Sequence, residues 1–195
     1  IIKPHEDNQV VFEKIRQAEK YGAFGVGMDI DHAFTGSGEY DNVFGLPMRP
    51  KSAEELRSFI RSTKLPFVIK GVLSETDARK ALEIGAAAII VSHHHGIMGD
   101  AVPPLMILPK ITQVIAGRIP IFVDCCIESG MDTFKALALG ADGVCVGRAI
   151  MGPLKEKGAT GVQEKMEQMN RELAGVMART GFAKVSKIDD SVIWR

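Results

Sequence analysis

Short continuous runs of apolar residues alternate along the chain with longer segments whose apolar residues recur at helical spacing. The runs are rich in Val, Ile and Ala and lack the polar alternation of a half-exposed strand, so they predict strands buried on both faces of a parallel sheet. The predicted strands are 24–30, 66–70, 87–92, 119–124 and 142–147, with a candidate strand remnant at 1–3. The predicted helices are 8–20, 52–63, 74–84, 103–116, 129–139 and about 160–179.

An internal repeat supports this alternation of strands and helices. The motif Ala-x-x-x-Gly-Ala occurs at 18–23, 81–86 and 136–141, where a helix is predicted to end and an apolar run to begin. Ser74 and Ser129 are predicted N-caps in two matching units. Because the units are so alike, the sequence favours an α/β fold of the (β/α)8 TIM-barrel type over an open doubly wound sheet.

The number of predicted strands falls short of a whole barrel. Such a barrel usually needs about 250 residues, whereas this chain has 195. We therefore predict a single partial barrel domain over residues 1–195, with about two N-terminal βα units missing. An open barrel leaves unpaired strand edges, which predicts self-association into a homo-oligomer.

Composition narrows the expected partners. The 24 basic and 24 acidic side chains cancel, and the chain has no basic block with interleaved aromatic residues, so nucleic acid is not expected as a partner. The apolar runs are far shorter than the roughly 20 residues of a membrane span, so no membrane association is expected. With three cysteines and no visible secretory signal, we expect a cytoplasmic protein whose partner is a small-molecule substrate.

Polar residues stand at the ends of the predicted strands, where the active sites of parallel α/β folds lie. Lys70 ends one apolar strand and predicts a fixed cation that faces an anionic ligand or an electron-rich ring. A lysine that reaches solvent from a strand end is the alternative. Asp124 ends another strand, where it is either a ligand-binding or a helix-capping carboxylate.

Three consecutive histidines, 93–95, follow a third predicted strand. Neighbouring residues of a strand point to opposite faces, so the three are not expected to bind one metal ion. One catalytic base with two bystanders is the favoured interpretation, since histidine titrates near neutral pH, and a structural histidine is the alternative. Asp29 and Asp31 are the candidate carboxylates that would orient the ring.

The last predicted strand is followed by a candidate phosphate site. Gly147 permits close approach of a ligand to the backbone, and Arg148 offers a bidentate guanidinium group. A glycine turn with a surface arginine is the alternative. Cys125 and Cys126 are interpreted as small packing residues, and the Gly-rich segment 34–50 as either a lid or a plain surface loop.

Several segments together resemble the FMN-dependent α-hydroxy acid oxidases and dehydrogenases, such as glycolate oxidase and lactate oxidase. These segments are Pro66–Leu73 with Asp77-Ala78, Gly85–Ser92, Phe134–Ala141, Val146–Arg148 and Met177–Gly181. The resemblance implies a (β/α)8 barrel that binds FMN at its mouth. It also implies that this chain covers the barrel from about the third strand to the eighth helix.

The resemblance implies roles for the residues at the strand ends. His94 would be the base, Asp31 would orient it, and Lys70 would stabilise the reduced flavin ring. FMN is the expected cofactor, and no metal is expected. The residues implied to bind the cofactor are Lys70, Ser92, Asp124, Gly147 and Arg148.

The sequence departs from the family pattern at three places. Phe34 and Ile97 stand where the family has two arginines that clamp the substrate carboxylate. The segment 124–128 replaces two glycines by cysteines and a phosphate-binding arginine by Glu128. Asp29 replaces a threonine that touches the flavin. These departures predict weakened FMN binding and poor turnover of lactate and glycolate.

We therefore expect an FMN-dependent oxidoreductase that oxidises a small hydroxy acid, or an altered hydroxy substrate, by hydride transfer to flavin while His94 accepts a proton. One alternative is a catalytically silent partial barrel that binds a phosphorylated ligand. Another is an enzyme like the FMN-dependent isopentenyl-diphosphate isomerases, which need no carboxylate clamp.

Overall fold

A computed structural model describes residues 1–94, 97 and 99–194 of the chain. Its strands are β1 (Val26–Asp29), β2 (Asn42–Val43), β3 (Leu46–Pro47), β4 (Phe67–Val72), β5 (Ala88–Val91), β6 (Ile121–Val123) and β7 (Gly143–Val144). Its α-helices are α1 (Asn8–Lys20), α2 (Ala53–Arg61), α3 (Glu75–Ile84), α4 (Pro104–Ile115), α5 (Gly130–Ala138) and α6 (Met151–Thr180). Short 3-10 helices cover Arg148–Ile150, Val185–Lys187 and Asp190–Val192.

The main sheet is parallel throughout, and its strands lie side by side in the order β1-β4-β5-β6-β7. A doubly wound sheet would reverse this order at an internal switch point, whereas strands that follow one another in chain order are the arrangement of a barrel. Ile2 extends the sheet beyond β1 through a parallel bridge with Met28. The predicted strand remnant at 1–3 therefore lies next to β1.

The core lies between this sheet and its helices. Every residue of β1 and of β5 is buried, as the unbroken apolar runs predict. On the helices, Phe59, Ile111 and Ile115 have no exposed surface. Burial of side chains of this size stabilises the fold by roughly 1.5–3 kcal/mol each. The residues at the strand ends are therefore attached to a tightly packed core.

The helix ends follow the sequence signals. Ser74 and Ser129 accept hydrogen bonds from the backbone N–H groups of Asp77 and Asp132, as expected of N-caps. Gly85 ends α3 in the left-handed conformation, with a φ of 86°. N-caps such as Ser74 and Ser129 stabilise a helix by about 1 kcal/mol each and fix the residue at which the helix begins.

Some predicted boundaries are wrong. Helix α6 is kinked at Gly158, which has a φ of 61° and a ψ of −143°, so the helix predicted from about 160 corresponds to the part of α6 after the kink. The predicted strand 142–147 keeps only two residues in the sheet, since the chain turns at Gly147 into the 3-10 helix Arg148–Ile150. The segment 34–50 contains the β2–β3 hairpin.

Within the described residues, no helix combines the length and the apolar character needed to cross a membrane.

Candidate active site

A cleft of about 400 Å³ lies at the carboxyl ends of the parallel strands. Five residues predicted from the sequence line it, namely Lys70, His94, Asp124, Gly147 and Arg148. The other two, Asp31 and Ser92, contact His94. The structure thus brings all seven predicted site residues together, while their roles remain predictions.

Lys70 is held at the bottom of the cleft by two carboxylates. It pairs in register with Asp29 of the neighbouring strand, and its Nζ lies 3.1 Å from Asp29 Oδ1 and 3.3 Å from Asp124 Oδ2. Nζ also donates to Ser92 Oγ at 3.2 Å. Burial alone would lower the pKa of Lys70, but the two carboxylates outweigh it and raise the pKa above its ordinary value. Lys70 therefore carries a positive charge at neutral pH.

The backbone of His94 differs from the expectation. Strand β5 ends at Val91, and His94 adopts a left-handed conformation with a φ of 50°. The backbone N–H of His94 donates to the buried hydroxyl of Ser92 at 3.1 Å, which holds this turn. The alternation argument used for the three histidines is therefore wrong, since His93 and His94 do not continue the strand. His95 lies outside the described residues.

The ring of His94 has a different neighbour at each nitrogen. Nδ1 lies 3.3 Å from Asp31 Oδ1 and 3.3 Å from Lys70 Nζ. Nε2 lies 3.5 Å from Nζ of Lys3. The predicted partnership of His94 with Asp31 is thus geometrically possible, and it leaves Nε2 as the nitrogen available to a ligand.

Asp31 is positioned by an irregularity in the neighbouring strand. The pairing of β4 with β5 shifts register between Lys70 and Val72, and Gly71, between them, has a φ of 98°. A Cβ atom at Gly71 would lie only 2.5 Å from Cγ of Asp31. A glycine is therefore required here, both for the backbone conformation and to leave room for the carboxylate beside His94.

Asp29 and Lys3 form a second ion pair in the site. Lys3 Nζ donates to Asp29 Oδ2 at 2.7 Å, and the Asp29 side chain is 5% exposed. Burial tends to raise the pKa of Asp29, but the hydrogen bond from Lys3 and the charge of Lys70 hold it below its usual value. Sequence reasoning missed Lys3. The available signal was a lysine at the end of a short apolar run, the same pattern that identified Lys70.

Three ligand atoms that could hold a metal ion come together here. One atom each from Asp29, Asp31 and His94 lies within 4.8 Å of the others. The ammonium group of Lys70, however, lies 3.1 Å from Asp29 Oδ1 and 3.3 Å from His94 Nδ1. A divalent cation would have to displace this charge, so the absence of a metal remains our prediction.

The far end of the cleft carries charges of both signs. Gly147 and the exposed Arg148 line it as the chain turns into the 3-10 helix. Glu128 lines the same cleft and is also exposed. A bound phosphate would be attracted by the guanidinium group and repelled by the carboxylate.

All three cysteines line this cleft. Cys125 and Cys126 have left-handed φ values of 69° and 57°, in a region that glycine adopts more readily. The Cys125 thiol donates to Asp124 Oδ1 at 2.9 Å. Burial, followed by the charge of Asp124, raises the pKa of the Cys145 thiol. Cys125 and Cys126 were interpreted as packing residues. The structure additionally places both of them on the wall of the cleft.

Phe34 and Ile97, the positions that the resemblance aligns with two arginines of the family, carry apolar side chains. Phe34 stacks on Tyr40 with 5.1 Å between ring centroids, and Ile97 is half-buried. Neither can pair with a carboxylate. The cation closest to Nε2 of His94 in the described contacts is Lys3.

Comparisons with known proteins agree with the fold. The model of the FMN-dependent dehydrogenase family matches residues 51–195. The 2-hydroxyacid oxidase of Dictyostelium discoideum is 34% identical over 220 residues, covering 97% of this chain and 57% of that protein. The glycolate oxidase of Spinacia oleracea is 33% identical over 224 residues, covering 97% of this chain and 61% of that protein. A crystal structure of mandelate oxidase matches with a TM-score of 0.84 at 29% identity, covering 94% of this chain and 60% of that chain.

The chain belongs to the FMN-dependent dehydrogenase family, and FMN is the cofactor of that family. A related mandelate oxidase variant has been solved with an FMN adduct. These findings confirm the predicted family, the partial (β/α)8 TIM-barrel fold and the cofactor. The chain spans 57% and 61% of the length of the two oxidases.

Proposed function

We propose that this protein is an FMN-dependent oxidoreductase of the α-hydroxy acid oxidase type, in which His94 accepts a proton from a hydroxyl-bearing small molecule. The observation that carries the proposal is the group formed by Asp31, His94 and Lys70. The carboxylate and the ammonium group each lie 3.3 Å from Nδ1 of His94. This group lies in a cleft of a chain that belongs to an FMN-dependent family.

The donors in the cleft fit FMN, although less well at the phosphate end. Arg148 would bind the phosphate, with Gly147 permitting its close approach, since no atom lies within 4 Å of where a Cβ would be. Lys70 would lie beside the ring edge that becomes negatively charged, with Ser92 and Asp124 as its neighbours. Bound FMN would supply the two-electron acceptor that side chains lack. Glu128 opposes the phosphate.

His94 would act through Nε2. Nδ1 of His94 can either accept a hydrogen bond from Lys70 or donate one to Asp31, each at 3.3 Å, and the tautomer that donates to Asp31 leaves a lone pair on Nε2. A proton taken up by Nε2 creates a positive charge that Asp31 stabilises, together with Asp29, whose Oδ1 lies 3.7 Å from Nδ1. The side chains thus suit removal of a proton from a hydroxyl group.

Lys3 would contact the acid group of the substrate. Its Nζ lies 3.5 Å from Nε2 of His94, and its side chain remains 27% exposed. A hydroxyl group hydrogen-bonded to Nε2 would place a carboxylate on the adjacent carbon within reach of this ammonium group. The names of the relatives, which include 2-hydroxyacid, glycolate and L-lactate oxidases, support a small hydroxy acid as the substrate class. A single ammonium group lacks the fork of an arginine, so weak binding is expected.

A catalytically silent barrel that binds a phosphorylated ligand is the second candidate function. The observation that favours it is the apolar side chain at both Phe34 and Ile97, since neither can bind a substrate carboxylate. Such a protein would bind FMN and would not transfer electrons to it from any hydroxy acid.

Anaerobic reduction of the FMN-loaded protein by a panel of 2-hydroxy acids tests the proposal. We expect His94→Gln to slow reduction by at least about 10²-fold, as for loss of a general base, without changing FMN affinity. Asp31→Asn should slow it less, and Lys155→Gln, at an exposed position of α6, serves as the control. Reduction of the His94→Gln variant at the wild-type rate would show that His94 is not the base. A wild-type protein that binds FMN and is reduced by none of the panel would support the silent barrel.

A further inference from the structure

His32 stacks on the candidate base. It follows Asp31 at the end of β1, and its ring lies 4.6 Å from that of His94, with an angle of 23° between the planes. Its Nε2 lies 3.2 Å from Oδ2 of Asp41, and its side chain is 16% exposed. Neither His32 nor Asp41 has a role in the function proposed above.

Burial favours the neutral form of the His32 ring, and the contact with Asp41 favours one tautomer of that form. The carboxylate of Asp41 lies 3.2 Å from Nε2, where it favours a hydrogen on that nitrogen, and in a neutral ring Nδ1 then carries none. Nδ1 is buried and has no hydrogen-bond partner among the described residues. Burial first, and then the charges of Lys3 and His94, lower the pKa of His32, and Asp41 and Asp29 oppose this only in part. The ring is therefore neutral at physiological pH.

A neutral ring has a consequence for its stacked partner. The face of an aromatic ring carries negative charge and attracts a cation placed over it. His94 becomes such a cation when it accepts a proton, whereas a second imidazolium would repel it. Only one of the two stacked rings can therefore carry a positive charge without repulsion. That ring is His94, because the pKa of His32 is lowered.

We propose that His32 is a positioning residue, whose neutral ring, held by Asp41, orients the ring of His94 and stabilises the positive charge that His94 acquires. The proton moves from the substrate hydroxyl to Nε2 of His94, and His32 neither gains nor loses one. The catalytic meaning of this contact rests on the proposed function, but the stacking itself does not.

Three variants separate the aromatic ring from the contact with Asp41. His32→Phe keeps an aromatic face and loses the polar contact with Asp41. His32→Gln keeps an N–H donor for Asp41 and loses the ring, and His32→Ala loses both. The titration of the His94 ring, followed by NMR of the FMN-loaded protein without substrate and assigned with His94→Gln, is the first measurement. The pH profile of flavin reduction is the second.

We expect the His94 ring to titrate about half a pH unit lower in both His32→Ala and His32→Gln, the size expected of an aromatic contact with a cation. The acid limb of the reduction profile should move by the same amount, while His32→Phe should resemble the wild type in both measurements. Equal behaviour of the Phe and Gln variants, or an unmoved titration in the Ala and Gln variants, would overturn the proposal. A shifted titration in a protein that no hydroxy acid reduces would refute the proposed function and leave the stacking role standing.

Discussion

Replacing Lys70 by methionine should lower the free energy of unfolding by about 2 kcal/mol at neutral pH. Its ammonium group lies 3.1 Å from Asp29 and 3.3 Å from Asp124, and its side chain is 14% exposed. Removal of one partner from a buried pair costs about 3–5 kcal/mol. The expected loss is smaller here, because Asp29 keeps its 2.7 Å contact with Lys3 and Asp124 is 18% exposed.

The decrease in the free energy of unfolding caused by Lys70→Met should be smaller at acidic pH. Burial tends to raise the pKa of Asp29, yet Lys3 and Lys70 hold it below its usual value. The ionised carboxylate therefore stabilises the fold above its unfolded-state pKa, and this stabilisation disappears as the pH falls through the lowered, folded-state pKa. Without Lys70 there is less stabilisation to lose. The difference between wild type and Lys70→Met should thus be largest near neutral pH and small in strong acid.

Urea unfolding, followed by circular dichroism at neutral and acidic pH, measures both effects. Lys155→Met is the matched control, since Lys155 is exposed on α6, and surface substitutions usually change stability by less than about 0.5 kcal/mol. A Lys70→Met loss no larger than that of the control, or a loss that is the same at both pH values, would refute this reasoning.

Two further substitutions test the cleft. Glu128→Gln should tighten FMN binding by a few-fold, since it removes a like charge from the phosphate end; unchanged affinity in a fluorescence titration would mean that the Glu128 side chain is directed away from the ligand. Lys3→Met should raise KM for a hydroxy acid by about tenfold, the effect of losing one charged hydrogen bond, and lower kcat less, while Lys3→Arg keeps KM close to the wild-type value. An unaltered KM in Lys3→Met would show that another group holds the acid.

The sequence predicted the sheet well because its strands are buried on both faces. Such strands appear in the sequence as unbroken apolar runs. The residue that ends each run therefore lies at the carboxyl edge of the sheet. Lys70 and Asp124 could be identified in this way, and the comparisons confirm the fold that their pattern implied. A predicted strand boundary was wrong where only Gly143 and Val144 of the segment 142–147 pair in the sheet.

The contacts inside the site were harder to predict. The left-handed turn at His94 is held by the hydroxyl of Ser92, and strand periodicity does not describe a residue beyond the strand end. Lys3 reaches the site because Ile2 pairs with β1. The strand remnant at 1–3 was predicted from the sequence, but its pairing partner was not. Similarly, the stacking of His32 on His94 depends on the packing of two neighbouring strand ends.

The cleft joins parts of the chain that are far apart in sequence. Lys3 and His94 are 91 positions apart, and Asp31 and His94 are 63 apart. Contacts of such long separation form slowly, because the entropy of closing the loop must be overcome before the contact stabilises anything. The cleft is therefore complete only after the segment that carries Arg148 has been added to the chain and has joined the paired strands.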